Sequence, residues 1–331
     1  MWATTLAALA VVIACGPAPL QEPPPPRQVV EKDPTRIEPV NPALLGYDFW
    51  RHWSDGMGEV NSYDLTFPRY GEPRQGIAVA IFVTETFTNS QRVKHEGKDP
   101  SRQDLFPVMK LNLIESYRTG VYTYNEMLSS FVALTGVNLL PPGAPTKVSF
   151  SSQEWCGHVY HQLLFGPKTV RAAQHSYFDG EADQSIELEI PEGASSEDTL
   201  WLWARGFGHP LMESGEMAEV TLLPALQRVR HGHLNLGWKK ATLRRGDPTQ
   251  ILVPAGKFDV EVAIAEIEGG PTRTFYVERA MPRRIVRWET SEGERAELIA
   301  SKRMKYWEIK GTEALLALKE LGLQTRPPRT P

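Results

Sequence analysis

Cysteine is almost absent from this chain: 331 residues contain two, Cys15 and Cys156. One disulfide is the most they can form, so this is no disulfide-stapled scaffold, and its stability has to come from packing. Neither sign of charge dominates. The 36 Lys and Arg against 40 Asp and Glu leave a net charge of -4, too weak a field to gather nucleic acid or anionic lipid. Nucleic acid is therefore not an expected partner. The longest apolar stretch, Ala3 to Ala14, is shorter than the roughly 20 residues a membrane-spanning helix needs. The patterns G-x-S-x-G, H-E-x-x-H, Walker A and C-x-x-C are all missing, which removes the best-defined hydrolase, metalloprotease, nucleotide and redox chemistries. No cofactor is implied.

What the chain does have begins at its first residues. Met1-Trp2 precede the uncharged run Ala3–Ala14, and Val12-Ile13-Ala14-Cys15 closes it in small residues, as an export signal does. That tetrapeptide resembles the lipobox of bacterial lipoprotein precursors. The resemblance implies cleavage before Cys15, lipidation of Cys15 and attachment to a membrane, with more than one acyl chain making the anchor stable. Gly16, in place of Asp, implies the outer membrane, with the folded part facing the periplasm. From Gly16 to about Pro42 repeated prolines favour polyproline II over helix or sheet, which reads as a tether reaching roughly 80 Å at about 3.1 Å per residue.

After Tyr47 short runs of Val, Ile, Thr and aromatic residues alternate with Gly, Pro, Asn and Asp, the pattern of strands and turns. Ile77–Thr84 is almost wholly apolar and reads as a strand covered on both faces. Val108–Ser116 and Lys147–Phe165 are further strand candidates, and Gln184–Ile190 alternates with Ile186, Leu188 and Ile190 on one side. The clearest segment is an antiparallel meander. Phe258, Val260, Val262 and Ile264 share a face, Glu268-Gly269-Gly270-Pro271 turns the chain, and Thr272–Glu278, Arg284–Thr290 and Arg295–Ser301 follow. Helix signals are few: Ser195 capping a short helix through Trp201 and Trp203 up to Gly206, and Thr312–Leu321 ended by Gly322.

The expected fold is therefore mainly β, with curved antiparallel sheets or an open, incomplete barrel and a few short helices. Its parts are a signal over 1–15, a tether over 16–46, an N-terminal β-rich region over 47–193, a C-terminal antiparallel region over 194–311 and a C-terminal helix and tail over 312–331. The two β regions are either one domain or two, with a seam near Pro191 to Ser196.

Three motifs carry a wider resemblance, spanning about Trp50 to Trp307: Thr119-Gly120-Val121-Tyr122-Thr123-Tyr124, Ser151 to His158 (SSQEWCGH), and His175-Ser176-Tyr177-Phe178. Together they resemble uncharacterised bacterial lipoproteins that are sometimes labelled septum formation inhibitor Maf. The nucleotide chemistry of genuine Maf proteins is not implied, because Ala280-Met281-Pro282-Arg283-Arg284 lacks both serines of their Ser-x-Ser-Pro-Arg-Arg motif. Pro254 to Trp307 also resembles periplasmic β-rich domains of unknown function, which implies an open barrel around an apolar interior.

The densest group of reactive side chains lies between Ser151 and His161. As one strand it would align Glu154, Cys156 and His158 on one face and Trp155, Val159 and His161 on the other, with Gly157 available for a bulge. His175 would complete a catalytic set, with Cys156 as nucleophile or ligand and a histidine as base. A metal set would draw on His158, His175, Glu181 and Asp183. The competing reading is a buried polar cluster with Cys156 as a small core residue. His231-Gly232-His233 would put two imidazoles on one strand face, and the meander's arginines interleave with glutamates as a charge-paired surface. The leading expectation is a non-enzymatic, lipid-anchored envelope protein, a binding or structural module whose partners are the membrane, an apolar ligand or another envelope protein. The alternative is an unfamiliar hydrolase or metal-dependent enzyme using Glu154, Cys156 and His158.

Overall fold

The computed structural model describes residues 46–97, 99 and 101–323. Cys15, its apolar run and the tether up to residue 45 lie outside the described residues. After helix α1 (Tyr47–Trp53) come eight strands in a meander: β1 (Gly58–Arg69), β2 (Glu72–Thr88), β3 (Leu105–Thr119), β4 (Tyr122–Ala133), β5 (Pro145–Glu154), β6 (Gly157–Phe165), β7 (Thr169–Ser176) and β8 (Gln184–Glu189). Then follow β9 (Ser195–Ser196), a 3-10 turn (Glu197–Thr199), α2 (Leu200–Ala204), β10 (Met217–Leu223), α3 (Leu226–Gly232), β11 (Lys239–Arg245) and β12 (Thr249–Val253). A second meander, β13 (Gly256–Ile267), β14 (Thr272–Glu278), β15 (Ile285–Thr290) and β16 (Arg295–Met304), precedes α4 (Thr312–Glu320).

All 16 strands belong to one sheet. It runs from β8 back to β1, crosses to β16, and continues through β15, β14, β13, β11 and β10 to β9, with β12 beside β13. The pairs are antiparallel except β9 with β10, and β8 and β9 are free ends, so the sheet is not closed. The fold is mainly β, as the alternating runs imply.

The sheet must nevertheless curl. Strand β14 lies six places from β4 in that order, which in a flat sheet at about 4.8 Å per strand is about 29 Å. Yet the turn Glu197–Thr199 packs on β4 and β5 while α2 packs on β14 and β3, and Arg273 of β14 reaches Glu197 at 3.3 Å. The sheet therefore wraps around these interior elements, and one large apolar core fills the space between them, including Tyr63, Phe82, Trp201, Trp203, Phe275 and Trp288.

The interior helix α2 is buried along its whole length, so its C-terminal carbonyls need donors from the protein. Arg245 supplies them, donating to Ala204 O at 2.7 Å and Trp203 O at 2.8 Å. The cap differs in detail from the sequence expectation: Ser196, one residue beyond Ser195, accepts the Asp198 N–H at the head of the 3-10 turn that leads into α2, and α2 itself has no side-chain cap. Helix α3 is pinned to the first meander by buried polar contacts. Gln227 donates to Glu115 at 2.7 Å and to Glu126 at 2.9 Å, and His231 Nε2 hydrogen-bonds Glu126 at 2.7 Å. Tyr117 and Ser152 also donate to Glu126.

Ile77–Thr84 is covered on both sides for a visible reason. Val79 and Ile81, on the outer face of β2, pack with Val60, Met304 and Leu321 under the C-terminal segment that carries α4. In β13 the inward side differs from expectation: Ala263, Ala265 and Ile267 are buried, whereas Val262 and Ile264 are half-buried.

Candidate pocket beneath β6, β7 and β8

Alternation on three neighbouring strands builds the site. Val159, His161, Leu163 and Phe165 are the buried positions of β6, and register aligns Leu163 with Ala172 and Ala172 with Ile186. One step along, it aligns His161 with Gln174 and Gln174 with Gln184. Side chains on alternate residues share a face, so an apolar row and a polar row run side by side across the inner surface of three strands. Leu226 and Val229 of α3 and the segment His233–Leu236 roof them over, leaving a pocket of about 320 Å³.

His161 is 3% exposed, packs edge-on to Phe150, and its Nε2 has no hydrogen-bond partner among the described residues. Burial pushes its pKa down to about 4, with Glu181 pulling it up and Arg230 down. The imidazole is thus neutral at physiological pH. Gln174 Nε2 donates to Glu181 O at 2.8 Å and Gln184 Nε2 to Gly180 O at 2.9 Å, which ties the loop 179–181 to the polar row. Glu181 pairs with His233 and accepts the Ser176 hydroxyl at 3.2 Å.

The residues singled out from sequence distribute differently. Lys147–Phe165 is no single strand: it is the hairpin of β5 and β6, with Trp155 and Cys156 at its turn and Glu154 opposite Gly157. Glu154, Cys156 and His158 therefore do not share a strand face. Gly157 makes no bulge; it opens β6, where a Cβ would stand 2.5 Å from the Tyr177 ring. Glu154 turns inward, 4.0 Å from Arg230, and accepts the Cys156 N–H at 2.7 Å. Cys156 is exposed rather than a core residue, and its hydrogen bond to the Glu154 carboxylate pushes the thiol pKa up, away from a reactive thiolate. His158 is exposed. His175 pairs with Asp183 at 2.8 Å, both in solvent, while Glu181 faces the pocket. The histidines of His231-Gly232-His233 are not on a strand: His231 lies in the last turn of α3, and His233 is its left-handed cap residue. Among the described residues no three His, Cys, Asp or Glu side chains come together as a metal-binding group.

The meander's arginines are paired as expected, Arg284 with Glu278, Arg287 with Glu297 and Arg283 with Glu261. Arg273 is buried between Glu197 and Glu294. Sequence reasoning missed His161 as a site residue because it placed it opposite the reactive cluster. Its spacing from Leu163, and the alternation of Gln184 with Ile186, were the available signals.

No protein-family model matches this chain, and no curated protein matches it. Among solved structures it is similar to the crystal structure of a beta-barrel-like protein of domain of unknown function DUF1849 from Brucella abortus, with 10% sequence identity and a TM-score of 0.45 over 75% of this chain and 98% of that one.

Proposed function

We propose that this chain is a lipid-anchored protein of the bacterial cell envelope that binds an apolar ligand without transforming it, held by Cys15 to the outer membrane on a proline-rich tether. This places it with the Maf-labelled lipoproteins its motifs resemble. The observation that carries the binding role is the pocket beneath β6–β8, whose about 320 Å³ lies in the range of small-molecule sites, with an apolar row set beside hydrogen-bonding groups. Its size suits a short or compact ligand rather than a long acyl chain. The lipobox run Ala3–Cys15 supports the anchor.

Native mass spectrometry of the full chain, purified from cells in mild detergent, tests the binding role. The expected spectrum shows a fraction of molecules carrying a small apolar adduct, lost when Ala172→Trp fills the apolar row. A protein that is empty and stays empty when offered short-chain amphiphiles refutes it. The anchor is tested separately by metabolic labelling with a fatty-acid probe, which should mark the wild type and not Cys15→Ser; an unlabelled, cytosolic wild type refutes the envelope assignment.

A further inference from the structure

The two rows of the pocket differ in chemistry, and the difference selects a headgroup. Leu163, Ala172 and Ile186 offer only apolar surface, while His161, Gln174 and Gln184 offer uncharged hydrogen-bonding groups beside it. The two glutamine amides already donate to the loop 179–181. Nε2 of His161 is left over: buried, inside the sheet and without a partner among the described residues. Leaving such an atom bare is unfavourable, so a group that reached it would gain from pairing with it.

The charges around the pocket are one-sided. Among the described residues no Lys or Arg lines it, and its acids are Asp179 and Glu181, the latter paired with His233. The guanidinium that acts on His161, that of Arg230, stacks on Phe178 at 3.8 Å from the ring centroid and lies 4.0 Å from Glu154. A carboxylate or phosphate entering the pocket would lose its hydration, meet no cation and face two carboxylates. An ammonium would gain attraction at the mouth but be desolvated against a neutral row.

We infer that the pocket takes an amphipathic molecule with an uncharged hydrogen-bonding headgroup, an alcohol, amide or ester, seated on His161 with its apolar body along Leu163, Ala172 and Ile186. This rests on the reading of the pocket as the ligand site.

Calorimetric titration of the full chain at pH 7.5 with 1-octanol, octanoate and octylammonium tests it. Octanol is expected to bind at least tenfold more tightly than either ion, and His161→Phe, which keeps ring bulk beside Phe150, should weaken octanol about tenfold while leaving octanoate unchanged. If His161→Phe does not give the wild-type near-ultraviolet circular dichroism spectrum, His161→Met tests the same position, with the same weakening of octanol expected. Either ion binding as tightly as octanol, or octanol binding unaltered in the folded variant, overturns the headgroup assignment while the pocket stands. If none of the three binds, the pocket reading fails and the headgroup assignment falls with it.

Discussion

Asp198 sits at the head of the interior helix, where it accepts the Leu226 N–H at 3.1 Å, and burial, reinforced by neighbouring Glu197, raises its pKa to about 7. The folded state therefore holds that proton more tightly than the unfolded chain does. Its contribution to stability is complete below about pH 4 and is lost as pH rises to about 7, at up to roughly 1.4 kcal/mol per pH unit. Glu115, also raised by burial and by Glu294 and Glu126, acts in the same sense. His161 acts oppositely. With its pKa lowered to about 4, the folded state refuses a proton that the unfolded chain accepts below about pH 6.5, so its contribution is lost as pH falls from about 6.5 to about 4. Relative to wild type, Asp198→Asn should gain stability as pH rises from 4 to 7, and His161→Phe should gain stability as pH falls from 6.5 to 4. Urea denaturation across that range reads both, and parallel profiles for the variants and the wild type would refute the assignment. Glu59 is a different case. Burial alone would push its pKa up, but the Arg205 guanidinium holds it below the usual carboxylate range, through bonds of 2.7 and 3.1 Å. Arg205 is 0% exposed and also lies over Phe82, so Glu59→Ala strands a buried cation and should cost about 3–5 kcal/mol in urea-measured stability.

At the level of elements, α2 shows how a short helix survives inside a sheet. Five residues cannot be stable through their own hydrogen bonds, and the helix holds because Arg245 satisfies Trp203 O and Ala204 O while Trp201 packs edge-on to Phe275 and Trp288. Arg245→Met keeps much of the side-chain stem but removes both donors; Trp203 O keeps the Gly206 N–H at 2.8 Å, so the loss should be that of one orphaned carbonyl, Ala204 O, about 1–3 kcal/mol. An unchanged urea midpoint would show that water or other donors replace it. The elements legible in the sequence are those whose logic is local. The turn Glu268-Gly269-Gly270-Pro271 and the alternating runs around it place β13 to β16 within a few residues of their observed limits, and Gly322 follows α4 as expected. The hairpin of β5 and β6 was hidden because Trp155 and Cys156 carry none of the usual turn chemistry. Helix α3 was misread because His231-Gly232-His233 alternates like a strand; what makes it a helix is contact with Glu115 and Glu126, over a hundred residues away in the chain. The pocket shares that character. Its β8 positions were legible in the alternation of Gln184–Ile190, but β7 carried no comparable signal, and which strands lie side by side and what roofs them are set by tertiary pairing that no local pattern contains.

On the scale of the whole molecule, the order of strands in space decides whether the chain divides near Pro191 to Ser196. The first meander, β1 to β8, and the later strands meet through β1 and β16, paired from Gly58 with Met304 to Thr66 with Arg295. The second half also fills the first. Arg205 ends at Glu59, Gln227 and His231 at Glu126, and Tyr63 of β1 donates to Ile285 O at 2.8 Å. A fragment covering 46–193 would therefore lack the elements that occupy its concave face, leave Glu59 and Glu126 buried or exposed without their partners, and present β1 as a bare edge open to association with other chains. A fragment covering 194–323 would carry α2 and α3 with nothing to bury them on one side. Neither piece is expected to unfold cooperatively or to give dispersed amide resonances alone, whereas co-expression of the two should restore both properties in a complex of equal stoichiometry. If either fragment alone shows a sharp urea transition and a dispersed spectrum, the contacts across β1 and β16 join two independently stable domains, and the seam in the sequence is a domain boundary.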